Sequence, residues 1–324
     1  MTFETETVLD RRLLRRRLSW WRGLAVVAAV LVLGLLTVSS GEVTSSVPGS
    51  KHIARVTIEG IITEDRDQLR MLKKIGEDSR VAGVVVFVNS GGGTTAGGEA
   101  LYEALRNIAK TKPVVAQFGT VAASAAYIAG LGTDRIFARG NTITGSVGVL
   151  FQWAEVSQLM EKVGVKMNEV KSGPLKANPS PFQPADEAGK AVTQEMVAET
   201  QRWFLGLVQS RRGIDTARVA GLEQGRIYSG REALVHRLVD QIGGEEEAVA
   251  WLEGERKVPK ALRIIDWKPK KDQNWGLGSL SLAHLADAFG HAIAQSTVRA
   301  LGLDALTDRL RLDGLVSVWQ GSER

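Results

Sequence analysis

The chain has 324 residues, 44% of them apolar and 24% charged, enough for one large domain or two smaller ones around a sizeable core. Cysteine is absent, which excludes a disulfide framework, a thiolate metal site and a cysteine nucleophile together. The net charge of +5 comes mainly from Arg11, Arg12, Arg15, Arg16, Arg17 and Arg22. The rest is close to neutral, and no zinc-finger spacing, recognition-helix pattern or basic–aromatic stripe points to nucleic acid.

Residues 1–22 read as a basic tail. From Gly23 to Gly41 no residue is charged, and Leu24 to Leu36 is almost wholly aliphatic. A bilayer core needs about 20 such residues in a helix, so 23–41 reads as a transmembrane anchor. Trp20 and Trp21 stand at its entry, where amphipathic rings favour the interface. Arginines before the span place the tail in the cytoplasm by the positive-inside rule. The single-pass anchor then lies in the inner (cytoplasmic) membrane, with the remainder extracytoplasmic, in the periplasm. A cleaved signal peptide is the competing reading, with Val38 and Ser40 as small residues before a cut. The apolar run exceeds the usual h-region of about 7–15 residues, which favours the anchor. Residues 42–50, small and polar with Pro48, form a linker.

A body over 51–267 follows. His52–Ile58 has strand character, and a helix is predicted over 66–79. Val81–Val88 is a continuous β-branched run that suits a strand buried on both faces. It stops at Asn89-Ser90-Gly91-Gly92-Gly93, and 97–109 reads as a helix. Pro113–Gln117 is a strand, Ala122–Leu131 a small-residue helix, and Arg135–Ala138 a short strand. This alternation predicts βαβ units, an α/β fold and a mostly parallel sheet. Helices are predicted over 188–212, 215–221, 230–240 and 245–253, and Ile264–Trp267 as a closing strand. Residues 268–324 form an extension with helical periodicity: Leu280, Leu282, Leu285, Phe289 and Ile293, then Val298, Leu301, Leu303, Leu306 and Leu310. Packing against the body or a neighbouring subunit would use that periodicity, and membrane-surface contact is the alternative.

Two loops bear on chemistry. Successive glycines at 91–93 let backbone N–H groups approach a ligand oxygen. An oxyanion hole can be built that way, although a plain tight turn would also use glycines. A phosphate cradle is disfavoured, because no lysine follows in P-loop spacing and no G-x-G-x-x-G pattern opens here. The second loop is Gly119 to Gly130, which sets Ser124 among small residues at a strand-to-helix turn. Such a serine is ordinarily just a tolerated small residue. A catalytic hydroxyl needs a neighbouring base. None of the four histidines, His52, His236, His284 and His291, lies between the two loops and residue 235. Lysine can serve if desolvation lowers its pKa, and Lys171-Ser172-Gly173-Pro174-Leu175-Lys176 offers one in a turn-rich loop. Spacing alone does not nominate it.

Five stretches resemble the signal peptide peptidase A family in order and spacing: Asn89–Gly93, Ala123-Ser124-Ala125, Ile143-Thr144-Gly145-Ser146-Val147-Gly148-Val149, Lys171–Lys176 and Gly225-Arg226-Ile227-Tyr228-Ser229-Gly230-Arg231-Glu232-Ala233. The resemblance covers about residues 50–265. It implies a Clp/crotonase-like fold of repeated ββα units with a mostly parallel sheet, and a serine peptidase with a Ser-Lys dyad. Ser124 matches the nucleophile, Lys176 the general base, and Ser146 a serine that orients the lysine amine. Gly92 and Ala125 match the oxyanion-hole donors. The family usually has proline where this chain has Gly91. Clp proteases use a histidine after the serine; at that offset the chain reads Gly148-Val149-Leu150-Phe151-Gln152.

The resemblance further implies peptide substrates such as signal peptide remnants and other membrane-derived peptides, and a ring- or dome-shaped homo-oligomer in which Ser124 and Lys176 could come from different subunits. No cofactor or metal is expected. An acyl-CoA-binding, crotonase-like enzyme is one alternative, disfavoured by extracytoplasmic placement. An inactive peptide-binding scaffold is another, disfavoured by Ser124, Ser146 and Lys176 occurring together.

Overall fold

The computed structural model describes residues 50–270 and 316–318. The basic tail, the 23–41 anchor and most of the 268–324 extension lie outside them. Among the described residues no helix is long and apolar enough to cross a membrane.

The chain begins with β1 (His52–Ile62), α1 (Arg66–Glu77), β2 (Val81–Thr94), α2 (Thr95–Ala109), β3 (Val114–Ala123), α3 (Ala125–Leu131), β4 (Arg135–Ala138) and β5 (Ile143–Gly145). It continues with α4 (Ser157–Lys162), the long α5 (Glu187–Arg212), β6 (Ile227–Ser229), α6 (Gly230–Val235), β7 (Gln241–Ile242), α7 (Glu245–Gly254), β8 (Ile264–Trp267) and β9 (Val316–Val318). Local chemistry sets several ends. Asp65 caps α1 by accepting from the N–H groups of Asp67 and Gln68, which otherwise lack intrahelical acceptors. Gly213, at φ 62°, closes α5 in the left-handed conformation that glycine adopts without Cβ strain.

The described strands make one sheet with the path β6-β5-β3-β2-β1-β8; β4 lies between β3 and β7, and β9 adds to β2. The β5–β6 and β2–β9 pairs are antiparallel; the others are parallel. Val84, Val86 and Val88 of β2 face a core shared with Leu72 and Ile75 of α1, Leu101 and Leu105 of α2, and Ile128 of α3. Val85 faces the opposite way, with Ile53, Val115 and Phe137, against Trp251 and Leu252 of α7. Covering both faces explains why the Val81–Val88 run is continuously apolar. Each such side chain contributes about 1.5–3 kcal/mol on full burial. Arg55 clasps β8 and α7 to β1: its guanidinium donates to Asp266 at 3.0 Å and to Glu245 at 3.0 Å. The bond from Arg55 is the main cause that holds the Asp266 carboxyl below its ordinary range.

The structure departs from the predicted elements in informative places. β2 does not stop at Val88 but runs through the glycines, because Gly92 and Gly93 pair with Ile61 and Ile62 of β1. The helix predicted from Ala122 starts three residues later, since Ala122 and Ala123 pair with Thr144 and Gly145. The segment 215–221 is not one helix. A 3-10 turn at 216–218 is followed by a second at 222–224, with Gly221 at φ 80° between them. Helix α6 ends at Val235 rather than 240, and Arg237 turns at φ 57°. Val316–Val318, in the region predicted to be helical, are a strand.

Candidate active site

The glycine segment is a strand held open by side chains. After Val88 the register shifts on both sides of β2. Asn89 fills the gap towards β3, its Oδ1 accepting from the N–H groups of Thr120 at 3.1 Å and Val121 at 3.3 Å. Ser90 Oγ donates to the Gly60 carbonyl at 2.6 Å and accepts from the Gly92 N–H at 3.0 Å. Gly92 sits at φ 115°, a conformation that side chains rarely adopt. At Gly93 an added Cβ would collide with the backbone of Ile62.

Ser124 occupies the adjacent junction. Ala123 makes the last pair of β3, with Gly145. Ser124 then turns sharply, at φ 62° and ψ −122°, to cap α3. Its N–H donates to the Gly145 carbonyl at 2.9 Å, and its carbonyl accepts from Ile128 at 3.0 Å. The residue is 1% exposed. A non-glycine residue in this region of backbone space costs about 1–3 kcal/mol, and it persists only where the surroundings over-determine it. Here they do. Small residues let α3 sit tight: a Cβ at Gly98 of α2 would come within 3.1 Å of the Ala125 carbonyl, and one at Gly130 within 2.5 Å of the Phe118 ring. Tyr127 anchors the same helix by donating to the Leu238 carbonyl at 2.7 Å. Burial pushes its phenol pKa up, so it stays neutral. Helix α3 also lies against β2, the strand that carries the glycines.

Ser146 leaves β5 one step after the Ala123–Gly145 pair, at φ 51°. Its N–H donates to the Arg226 carbonyl at 2.9 Å. The 225–233 stretch is therefore a buttress. β6 pairs antiparallel with β5, Gly145 opposite Ile227. Ser229 then opens α6 with a reciprocal capping box: it accepts from the Glu232 N–H at 3.3 Å, while its own N–H donates to Glu232 at 2.9 Å. That backbone bond is the main cause that lowers the Glu232 carboxyl pKa. The strand register thus brings Ser124, Ala125, Ser146 and the glycine segment to one end of the sheet.

Lys176 is placed differently. It belongs to the segment between α4 and α5, where its N–H donates to the Gly173 carbonyl at 3.1 Å, and it is exposed. The same segment exposes large apolar side chains, among them Leu159, Val163, Met167 and Leu175. Of the histidines, His52 stacks on Trp267 and His236 lies edge-on to Tyr228; His284 and His291 are outside the described residues. Among the described residues no cluster of three or more His, Asp or Glu is arranged to hold a metal ion.

The model of peptidase family S49 matches residues 106–259, and that of Clp protease matches residues 57–143. A protein of Enterococcus faecium named as signal peptide peptidase SppA is 37% identical over 239 residues, which are 68% of this chain and 67% of that protein. The chain belongs to peptidase family S49. Two further relatives of this S49 chain are named as proteases. One from Methanocaldococcus jannaschii is 34% identical, covering 78% of this chain and 81% of the relative. One from Synechocystis is 32% identical, covering 62% and 73%. The S49 chain is accordingly a serine protease acting on peptides, with a mixed α/β, mostly parallel, Clp-like fold.

Proposed function

We propose that this S49 protease is a membrane-anchored endopeptidase with Ser124 as nucleophile and Lys176 as general base. The observation that carries the reading is the strained turn at Ser124, fixed by β3, β5 and α3 beside a glycine strand. Neutral Lys176 takes the proton from Ser124 Oγ as that oxygen attacks a peptide carbonyl. Ser146 orients the amine. The N–H groups of Gly92 and Ala125 stabilise the oxyanion, the Gly92 donor being shared with Ser90 Oγ. Lysine then protonates the leaving amine, and water hydrolyses the acyl-enzyme.

The exposure of Lys176 and of the apolar residues around it supports a homo-oligomeric ring, in which a neighbouring subunit buries the lysine and brings it to Ser124. The 23–41 segment would confine the enzyme to the inner membrane, with its catalytic domain on the periplasmic side. Remnant signal peptides and other membrane-derived peptides are then the substrates, in keeping with the name of the Enterococcus relative. Hydrolysis of an extended apolar peptide tests the chemistry. Ser124→Ala and Lys176→Ala should each lower kcat by 10³-fold or more, on the order of the loss when a nucleophile or its base is removed. Wild-type activity should rise with pH, because only the neutral amine accepts the proton. Full activity in either variant, or a flat profile between about pH 5 and 9, would contradict the dyad.

A further inference from the structure

The loop that carries Ser146 is held from behind by a polar side chain in an apolar register. Helix α5 buries Thr193, Phe204 and Val208, and Gln201 falls on the same stripe, at helical spacing from Phe204 and Val208. Its Nε2 donates to the Val147 carbonyl at 3.1 Å and to the Glu223 carbonyl at 3.3 Å. Both hydrogens of the amide are then committed. Both partners are acceptors, so the amide cannot be turned round without setting oxygen against oxygen. Oε1 is left buried, with no hydrogen-bond partner among the described residues. A buried acceptor without a donor costs stability. What Gln201 supplies against that cost is a tie between two backbone segments.

The tie acts on Ser146 directly. At φ 51° Ser146 is left-handed, a conformation that a non-glycine residue keeps only where its surroundings fix it. Its own N–H is bound by the Arg226 carbonyl at 2.9 Å. The next carbonyl along, that of Val147, is bound by Gln201, and the Val147 side chain is fully buried. Glu223 and Arg226 flank Gly225, whose Cα would lie 3.4 Å from a Cβ at Gly148. One amide thus joins the exit of β5 to the turn before β6. Helix α5, which carries it, also lies against α3, the helix that Ser124 caps. We infer that Gln201 is a positioning residue of the protease: it fixes the Ser146 backbone, and with it the direction from which the Ser146 hydroxyl meets the lysine amine. The inference rests on the reading of Ser146 as the serine that orients Lys176.

The test uses the full chain with two substitutions. Gln201→Glu keeps the shape but turns an oxygen towards two carbonyls. Gln201→Met fills similar space without the donor. In each, kcat per folded chain for an extended fluorogenic peptide should fall about tenfold, the scale of one or two net hydrogen bonds lost. KM should not change, because the amide faces the chain's own backbone. A second comparison separates positioning from plain support. Ser146→Ala has no hydroxyl left to misplace, so adding Gln201→Glu to it should lower kcat by less than about twofold more. Where Gln201→Glu does not fold, Gln201→Met carries the same comparison. Equal losses in both backgrounds would overturn the inference, as would an effect on KM alone or wild-type kcat per folded chain in both Gln201 variants. Ser146→Ala at wild-type kcat would sink the reading of Ser146, and the inference with it.

Discussion

At Ser124 the backbone says more than the side chain. In the sequence it is one serine among alanines, and nothing there shows a φ of 62°. That angle is imposed by distant partners, since Ala123 is still in the ladder with Gly145 while Ala125 is already helical. The strain is measurable. Ser124→Gly and Ser124→Ala both lose the hydroxyl, but only glycine relaxes the turn. The glycine variant should be more stable than the alanine variant by about 1–2 kcal/mol in chemical denaturation, both being inactive. Equal stabilities would mean the turn is unstrained. Gly93 is the converse case. Its Cβ would strike the Ile62 backbone, so Gly93→Ala should separate the ends of β1 and β2 and cost on the order of 2 kcal/mol or more, read as a lower denaturation midpoint. The glycine run was legible as a place of close approach. Which backbone it approaches was not, because Ile62 lies 31 positions away.

At the scale of elements, what periodicity predicts is what both faces of the sheet bury. The Val81–Val88 strand, the helix over α5 and the closing strand Ile264–Trp267 stand close to where the sequence places them. The misplaced boundaries share a cause. Asn89–Gly93 and Ala122-Ala123 have turn-like or helix-like composition, yet each pairs with a neighbour whose register only the folded sheet supplies. The turn from α1 into β2 also carries a pH response. Asp78 is held at about 2, from an ordinary 3.8, chiefly by its hydrogen bond from the Arg80 side chain, with burial opposing. A depressed carboxyl pKa adds stability that is present above about pH 4 and is lost as pH falls toward 2. Asp78→Asn removes the titrating group. Its stability should be lower than wild type at pH 7, and the difference should shrink as the pH is lowered from about 4 to 2. A difference independent of pH across that window would remove Asp78 from the acid response.

For the whole molecule, the contrast between a buried serine and an exposed lysine bears most directly on the proposed dyad. Sequence motifs nominate both residues but carry no distance between them, and the chain described by itself leaves Lys176 on an apolar, solvent-facing segment. If neighbouring subunits complete each site, two inactive variants can repair one another. Co-assembled Ser124→Ala and Lys176→Ala chains should recover activity at roughly a quarter of the sites under random mixing in a closed ring. No recovery in a confirmed mixed assembly would place both residues of the dyad in one subunit. The central claim is narrower still: Ser124 is the nucleophile, and Lys176 activates it. Peptide mapping by mass spectrometry after reaction with a fluorophosphonate probe tests it most directly. The adduct should fall on Ser124 in the wild type, be absent from Ser124→Ala and be strongly reduced in Lys176→Ala; an adduct on another serine, or undiminished labelling of Ser124→Ala, would contradict it.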